Sequence, residues 1–142
     1  MKGKTIYPGR VEGCAVVSME PIGFYGGVDV KSGKIVEKGH PLEGRSIKGK
    51  ILVFPHGKGS TVGSYIIYGL KRYGNAPLAI VTENIDTVVA AGVILAGIPC
   101  VDGIDISRIR DGDIVVVDGD KGEIEIKRRA EDGGTAKLIV DE

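Results

Sequence analysis

Residues 51–81 narrow the possible folds more than any other part of the chain. Ile51-Leu-Val-Phe54 is a short run of large apolar residues, the pattern of a strand buried on both faces. A glycine-rich stretch follows, Pro55-His-Gly-Lys-Gly-Ser-Thr-Val-Gly-Ser64, and then a segment from Tyr65 to Arg72 that reads as a helix. Val62, Ile66, Leu70 and Tyr73 recur at helical spacing and predict one apolar stripe. Gly74-Asn75-Ala76-Pro77 supplies a C-cap and a breaker, and Leu78-Ala-Ile-Val81 reads as a second apolar strand. Strand, helix and strand in this order form a βαβ unit, whose two strands are parallel because the helix carries the chain back.

The flanking segments are β-rich. Thr5 to Val17 predicts a strand bent at Pro8 and Gly9. Phe24-Tyr-Gly-Gly-Val-Asp29 followed by Lys31-Ser-Gly-Lys34 predicts a strand, a tight turn and a return. After the βαβ unit, Asn84 or Asp86 can cap a second helix over Thr87 to Leu95, apolar on nearly every side and expected to be buried. Ile98-Pro-Cys-Val101 leads into a third core segment. Asp113-Ile-Val-Val-Val117 and Glu123-Ile-Glu-Ile126 flank Asp118-Gly-Asp-Lys-Gly122, a hairpin signature, and Lys137-Leu-Ile-Val140 is a last short strand. With no linker, repeat or low-complexity segment, residues 1–142 are expected to form a single α/β domain. Its central parallel βαβ unit would be joined by additional antiparallel strands, in β/β/α layers.

Composition removes several classes of function. Lys and Arg number 19 and Asp and Glu 19, so no electrostatic case exists for nucleic acid or an anionic membrane surface. The two cysteines, Cys14 and Cys100, lie far apart and suggest a reducing compartment; by themselves they cannot complete an iron–sulfur or structural zinc site. Met1-Lys-Gly-Lys-Thr-Ile-Tyr-Pro8 lacks the apolar core of a signal peptide, and Val88 to Ile98 is too short and glycine-broken to span a bilayer. A cytoplasmic location is the expectation. The absence of Gln and Trp, with only Asn75 and Asn84 as amides, resembles a thermophile's usage.

A glycine-rich turn from a strand into a helix gathers backbone N–H groups and a helix N-terminus, a setting that favours anionic oxygen. Ser60 stands in the middle of it. A Walker-type phosphate loop needs Lys-Ser/Thr directly after its last glycine, whereas Gly63 is followed by Ser64-Tyr65. Gly57, Gly59 and Gly63 after a strand, with Glu83 ending the next one, fit a dinucleotide site better. Only one βαβ unit follows, however, which leaves no room for the second half of such a site. The plain structural reading is that these glycines permit close packing and positive φ.

Gly-Lys-Gly-Ser-Thr-Val-Gly-Ser64, preceded by Gly26-Gly-Val-Asp29 and His40-Pro-Leu42, resembles the small subunit of the aconitase X family. The resemblance runs from Gly9 through Ala79-Ile-Val81 to Val101-Asp-Gly103, and the ordered combination is far more specific than any one block. It implies a swivelling domain that partners a larger iron–sulfur subunit. Members are dehydratases: bacterial forms act on hydroxyproline-type substrates, and archaeal forms convert phosphomevalonate to anhydromevalonate phosphate in a modified mevalonate pathway. Bacterial members tend to show Gly-Arg-Gly-Ser-Cys-Thr-Gly-Ser; Lys58, Thr61 and Val62 place this chain nearer the archaeal form.

The family's functional serine maps onto Ser60, implied to be the proton-abstracting base. The resemblance further implies a cluster, [4Fe-4S] by type, bound by the large subunit and acting as Lewis acid on the departing hydroxyl. A phosphorylated hydroxy acid would be the substrate, and the chain alone would be inactive. Backbone N–H groups from Gly59 to Gly63, the helix dipole and Lys58 are placed by sequence to stabilise a serine alkoxide, or instead to bind the substrate's carboxylate or phosphate. Gly57, Lys58, Gly59, Thr61, Gly63, His56 and Asp29 are therefore the candidate anion-binding or supporting residues.

His56 reads better as a loop-stabilising imidazole than as an acid–base group, and His40, in a surface-like turn before Pro41, as structural. Asp29 fits either the site or a turn cap. Ser64 is expected to cap the following helix, and Lys127-Arg-Arg129 to be a solvated face. Two rivals stay open. One is a phosphohistidine carrier, disfavoured because His56 precedes the glycine–serine run; the other is a non-catalytic binding module.

Overall fold

In a computed structural model the chain is described over residues 1–131, so the strand expected at Lys137–Val140 lies outside the described residues. The chain forms β1 (Lys4–Tyr7), β2 (Arg10–Val17), a tight turn α1 (Phe24–Gly27) closed by the Val28 N–H donating to the Phe24 carbonyl, and a short hairpin of β3 (Val28–Asp29) and β4 (Lys34–Ile35). The central unit follows as β5 (Ile51–Phe54), α2 (Gly63–Arg72) and β6 (Ala79–Thr82), then α3 (Thr87–Ala96) and β7 (Cys100–Asp102). A second hairpin, β8 (Ile114–Asp118) and β9 (Glu123–Arg128), ends the described chain.

The βαβ unit forms as expected: β5 and β6 are parallel, in register from Ile51 opposite Ala79 to Phe54 opposite Thr82. β2 lies parallel on the other side of β5, and β7 lies parallel beyond β6. Antiparallel strands complete a seven-stranded sheet of order β1-β7-β6-β5-β2-β8-β9. The sheet curls until its two edges meet. Gly3 N–H donates to the Gly122 carbonyl at 2.7 Å, and Ile124 N–H to the Met1 carbonyl at 2.8 Å. Closure of this kind satisfies edge groups that an open sheet would expose.

Curling gives the sheet two unlike faces, and the two-residue alternation of each strand sorts side chains between them. Ile51, Val53, Val81, Val101, Val115 and Val117 pack together in one core. Leu52, Phe54, Ile80 and Cys100 belong to the other, with Ile67 and Leu70 of α2 and Val89 and Val93 of α3. The mixed α/β architecture expected from sequence is the one observed.

Several local expectations are corrected. The bent strand at Thr5–Val17 is two strands: β1 pairs with β7, whereas β2 pairs with β5 and β8. Phe24–Gly27 is a tight turn rather than a strand, with Tyr25 at φ −74°, ψ 115° and Gly26 at φ +86°, and only Val28–Ile35 forms the hairpin. Phe24 is spent on packing, its ring centroid 5.8 Å from that of Phe54. In α2 the buried face is Gly63, Ser64, Ile67 and Leu70, while Val62 and Tyr73 are exposed. A stripe displaced by one residue is rotated by about 100° around a helix. α3 is capped by Asp86, but it lies outside the sheet with one covered face, so Ile94 and Leu95 are exposed rather than buried.

Candidate functional site

The turn between β5 and α2 is fastened from three sides. Ile22 N–H donates to the His56 carbonyl at 3.2 Å and Lys58 N–H to the Ile22 carbonyl at 3.1 Å, a one-step parallel bridge from the segment before α1. Gly57 N–H donates to Asp86 Oδ1 at 2.6 Å. The other oxygen of that carboxylate accepts the N–H groups of Val88 and Val89 at the start of α3. Asp86 therefore caps α3 and holds the turn at once. Gly57 is buried, and a Cβ there would stand 2.7 Å from Val89 Cγ2 and 3.0 Å from Asp86 Oδ1, which explains the glycine. Ser64 lies within α2 and does not cap it: its hydroxyl donates to the Val88 carbonyl at 2.6 Å, tying the starts of the two helices together.

From this base the stretch Lys58–Val62 projects into solvent. Gly59 has φ +86°, with open space where a Cβ would be, so here backbone conformation rather than crowding demands glycine. Ser60 is exposed, and its Oγ accepts the Val62 N–H at 3.1 Å while its carbonyl accepts the Gly63 N–H at 3.0 Å. The hydroxyl proton is thereby left for another acceptor. Of the five amides expected to converge on an anion, those of Val62 and Gly63 are spent within the turn. Those of Gly59, Ser60 and Thr61 have no hydrogen-bond partner among the described residues.

Lys58 Nζ forms a 2.8 Å ion pair with Glu37 Oε2. Both line a hollow of about 320 Å³ beside the turn, together with Gly23, Tyr25, Gly26, Gly27 and Gly59. A larger hollow, about 710 Å³, lies between the N-terminus and β8–β9, and no residue of the turn lines it. Among its charged lining residues, Lys2 pairs with Glu123 and Arg10 with Asp118. The smaller hollow is the one that adjoins the candidate chemistry.

His56 is half-buried, and its Nδ1 donates to the adjacent Gly57 carbonyl at 2.6 Å. A carbonyl can only accept, so the ring carries its proton on Nδ1 and braces the turn. His40 is buried rather than at the surface: Nε2 donates to the Pro21 carbonyl and Nδ1 accepts the Leu42 N–H, each at 3.0 Å. Asp29 is not brought to the turn; its carboxylate accepts the Ser32 hydroxyl at 2.7 Å and closes the β3–β4 hairpin. In the Lys127-Arg-Arg129 cluster, Lys127 pairs with Glu12, while Arg129 reaches the fully buried carboxylate of Asp113 at 3.0 Å and so is not merely solvated. Glu37 and the bracing role of Asp86 escaped the sequence reading. Glu37 sits in an unpatterned Val-Glu-Lys stretch, and Asp86 shows in sequence only as a helix cap.

Among the described residues, no three His, Cys, Asp or Glu side chains stand close enough to hold a metal ion. Cys100 is buried, and burial, with Asp102 adding to it, pushes its thiol far up from the ordinary range. Such a thiol resists becoming the thiolate that a metal needs. No helix among the described residues is long and apolar enough to cross a membrane.

Comparison with known proteins places this geometry among relatives. The family model described as the aconitase X swivel domain matches residues 1–126. The phosphomevalonate dehydratase small subunit of Thermococcus sibiricus is 54% identical over 127 residues, covering 89% of this chain and 98% of that one. The protein of the same description from Methanosarcina acetivorans is 51% identical over 129 residues, covering 89% and 90%. The crystal structure of Thermococcus kodakaraensis aconitase X in its holo-form superposes with a TM-score of 0.87 at 50% identity, covering 88% of this chain and 95% of that one.

Proposed function

The chain belongs to the aconitase X swivel-domain family, and we propose that it is the small subunit of a phosphomevalonate dehydratase in which Ser60 removes the proton. The hydro-lyase reaction would turn phosphomevalonate into anhydromevalonate phosphate, in keeping with the names of the archaeal relatives. The observation that carries the role of Ser60 is its setting: an exposed hydroxyl on a turn pinned by Asp86 and Ile22, with an N–H already donating into Oγ.

Dehydration of a hydroxy acid requires loss of a proton next to the carboxylate and departure of the hydroxyl. An ordinary alcohol is far too weak an acid to serve as a base unless its surroundings favour the oxyanion. Donation from Val62 N–H favours that charged form, and the dipole of α2, starting at Gly63, acts in the same direction. The open amides of Gly59, Ser60 and Thr61 and the ammonium of Lys58 add positive potential around the incoming carboxylate or phosphate. Glu37 keeps that ammonium beside Gly59 rather than free in solvent.

An iron–sulfur cluster does not fit this chain. Its thiols are the buried, proton-holding Cys100 and the half-buried Cys14, and no ligand group assembles among the described residues. The cluster therefore belongs in this reading to a large subunit, which is what the designation small subunit in the relatives supports. Departure of the hydroxyl is assigned to no residue of this chain.

The test is the complex reconstituted anaerobically with its large subunit and assayed with phosphomevalonate and with hydroxyproline. Ser60→Ala should assemble normally, with turnover of phosphomevalonate lowered by about 100-fold or more, the usual contribution of a general base. Near-normal turnover would remove Ser60 from the role. Turnover of hydroxyproline alone by the unaltered complex would overturn the substrate.

A further inference from the structure

We propose that Asp102 is a positioning residue for the reaction, acting on Ser60 through Ile85, Asp86 and Gly57. The inference rests on the dehydratase reading and carries the support of the turn one strand beyond Asp86.

Three parallel strands end side by side. Phe54 of β5 stands opposite Thr82 of β6, and Val81 of β6 opposite Val101 of β7, so Asp102 comes next to Thr82. In sheets of this kind, ligands bind at the carboxyl ends of the parallel strands. Here the first strand end leads into the turn with Ser60, the second into residues 83–86, and the third is Asp102 itself. Val101-Asp-Gly103 is also one of the stretches that carry the family resemblance, and the chemistry of the turn alone gives it no task.

Asp102 Oδ1 accepts the Thr82 hydroxyl and the Ile85 N–H, each at 2.8 Å. Thr82 is fully buried, so its hydroxyl has no water to turn to and holds the carboxylate in one orientation. Directly after Ile85 comes Asp86, whose own carboxylate takes the Gly57 N–H at 2.6 Å. At the start of the same loop, the N–H groups of Glu83 and Asn84 both donate to the Pro55 carbonyl, at 3.1 Å and 3.0 Å. The loop is therefore fastened to the turn at its entry and to β7 at its exit, and Asp86 leaves from the fastened exit. Asp102 Oδ2 has no hydrogen-bond partner, and no cation pairs with the carboxylate, among the described residues. What the loop takes from Asp102 is a doubly accepting oxygen, not a charge.

Without that oxygen the backbone at Ile85 loses its anchor, and the carboxylate that holds Gly57 is no longer set in place. Displacement of a reacting group by 1 Å costs up to about 100-fold in rate. Asp102 thus acts on the position of Oγ and not on the substrate.

Asp102→Ala, Asp102→Asn and Thr82→Val are compared with Asp118→Ala in the complex reconstituted anaerobically with its large subunit. Assays run well below each melting temperature, with circular dichroism confirming the fold. Asp118 is the matched control: its Oδ1 also accepts two hydrogen bonds, from the N–H groups of Asp120 and Lys121. It stands opposite Arg10 at the start of β2, the end of the sheet remote from Phe54. Asp102→Ala should lower kcat by about tenfold and change KM by less than about twofold, since a displaced base is felt in the transition state. The carbonyl oxygen of Asn can accept both bonds, so Asp102→Asn should stay within about threefold of the parent. Thr82→Val, which removes one of the two bonds, should fall between these, and Asp118→Ala should leave kcat as it was. Hydrogen exchange at the Gly57 amide, read in the free chain, should quicken in the same order. A parental kcat or a parental rate of Gly57 exchange, in either Asp102→Ala or Thr82→Val, overturns the inference and leaves the dehydratase reading intact. So does an equal fall in Asp118→Ala, or an Asn variant as impaired as the Ala variant. An unaltered complex that does not dehydrate phosphomevalonate overturns both.

Discussion

Replacing Asp86 tests whether the turn that carries Ser60 is held in place by the helix after next. The carboxylate serves two structures: Oδ1 accepts Gly57 N–H at 2.6 Å, and Oδ2 accepts Val88 N–H at 3.2 Å and Val89 N–H at 3.3 Å. In Asp86→Ala, loss of the helix cap costs about 1 kcal/mol. Gly57 is buried, so its orphaned N–H adds about 1–3 kcal/mol of uncompensated desolvation. The sum is about 2–4 kcal/mol, which for a chain of this length lowers the melting temperature by roughly 6–16 °C. Asp86→Asn separates the two roles, because its single carbonyl oxygen can serve the turn or the helix but its NH₂ can accept from neither. It should lose about half as much. Calorimetric unfolding of each variant gives the stability, and turnover of the assembled complex well below both midpoints gives the function. Turnover should fall although Ser60 is untouched, since a slack turn no longer holds Oγ in place. An Asp86→Ala chain as stable as its parent, or an Asn variant as damaged as the Ala variant, would refute the dual role. Unaltered turnover would refute the link from Asp86 to Ser60.

Two further perturbations read the site and the core. Gly59→Ala meets no steric obstacle but forces an L-residue to φ +86°, costing about 1–2 kcal/mol. Gly74→Ala, at φ +76° in equally open space just past the other end of α2, should cost a similar amount in thermal unfolding. Only Gly59→Ala should also depress turnover, and equal depression by both would discount the turn. In thiol labelling of the folded chain, half-buried Cys14 should react before Cys100, which burial keeps protonated; prompt labelling of both would contradict that. The raised pKa of Cys100 also has a sign for stability. Unfolding releases its proton above the free thiol range of about 8.5, so its contribution is intact below that pH and is lost as pH rises beyond it. Cys100→Ala should flatten the decline of unfolding free energy between about pH 8 and pH 10. An unchanged slope would show that the thiol does not titrate this way.

What was legible in the sequence was local. The βαβ unit follows from apolar runs and a helical period, the β8–β9 hairpin from Asp118-Gly-Asp-Lys-Gly122, and the start of α3 from Asp86 before an apolar run. Each is decided by neighbours within a few residues. The family was legible for a different reason: several short blocks stand in one order, and Ser60 stands inside the most specific of them.

Tertiary structure alone decided which strands are neighbours, which helix faces are covered, and what holds the turn. A strand's apolar pattern says that it is buried but not beside what, so the separation of β1 from β2 emerged only when the sheet closed on itself. A helix apolar all round, such as α3, contains no signal for which side the sheet will cover. Gly57 meets Asp86 across 29 positions and Lys58 meets Glu37 across 21. Such pairings depend on how the whole chain packs, and no local pattern encodes them. The sequence by itself therefore determined that a serine would stand in a glycine turn between β5 and α2. The folded chain determined that this serine is exposed on a turn braced by Asp86 at the start of α3.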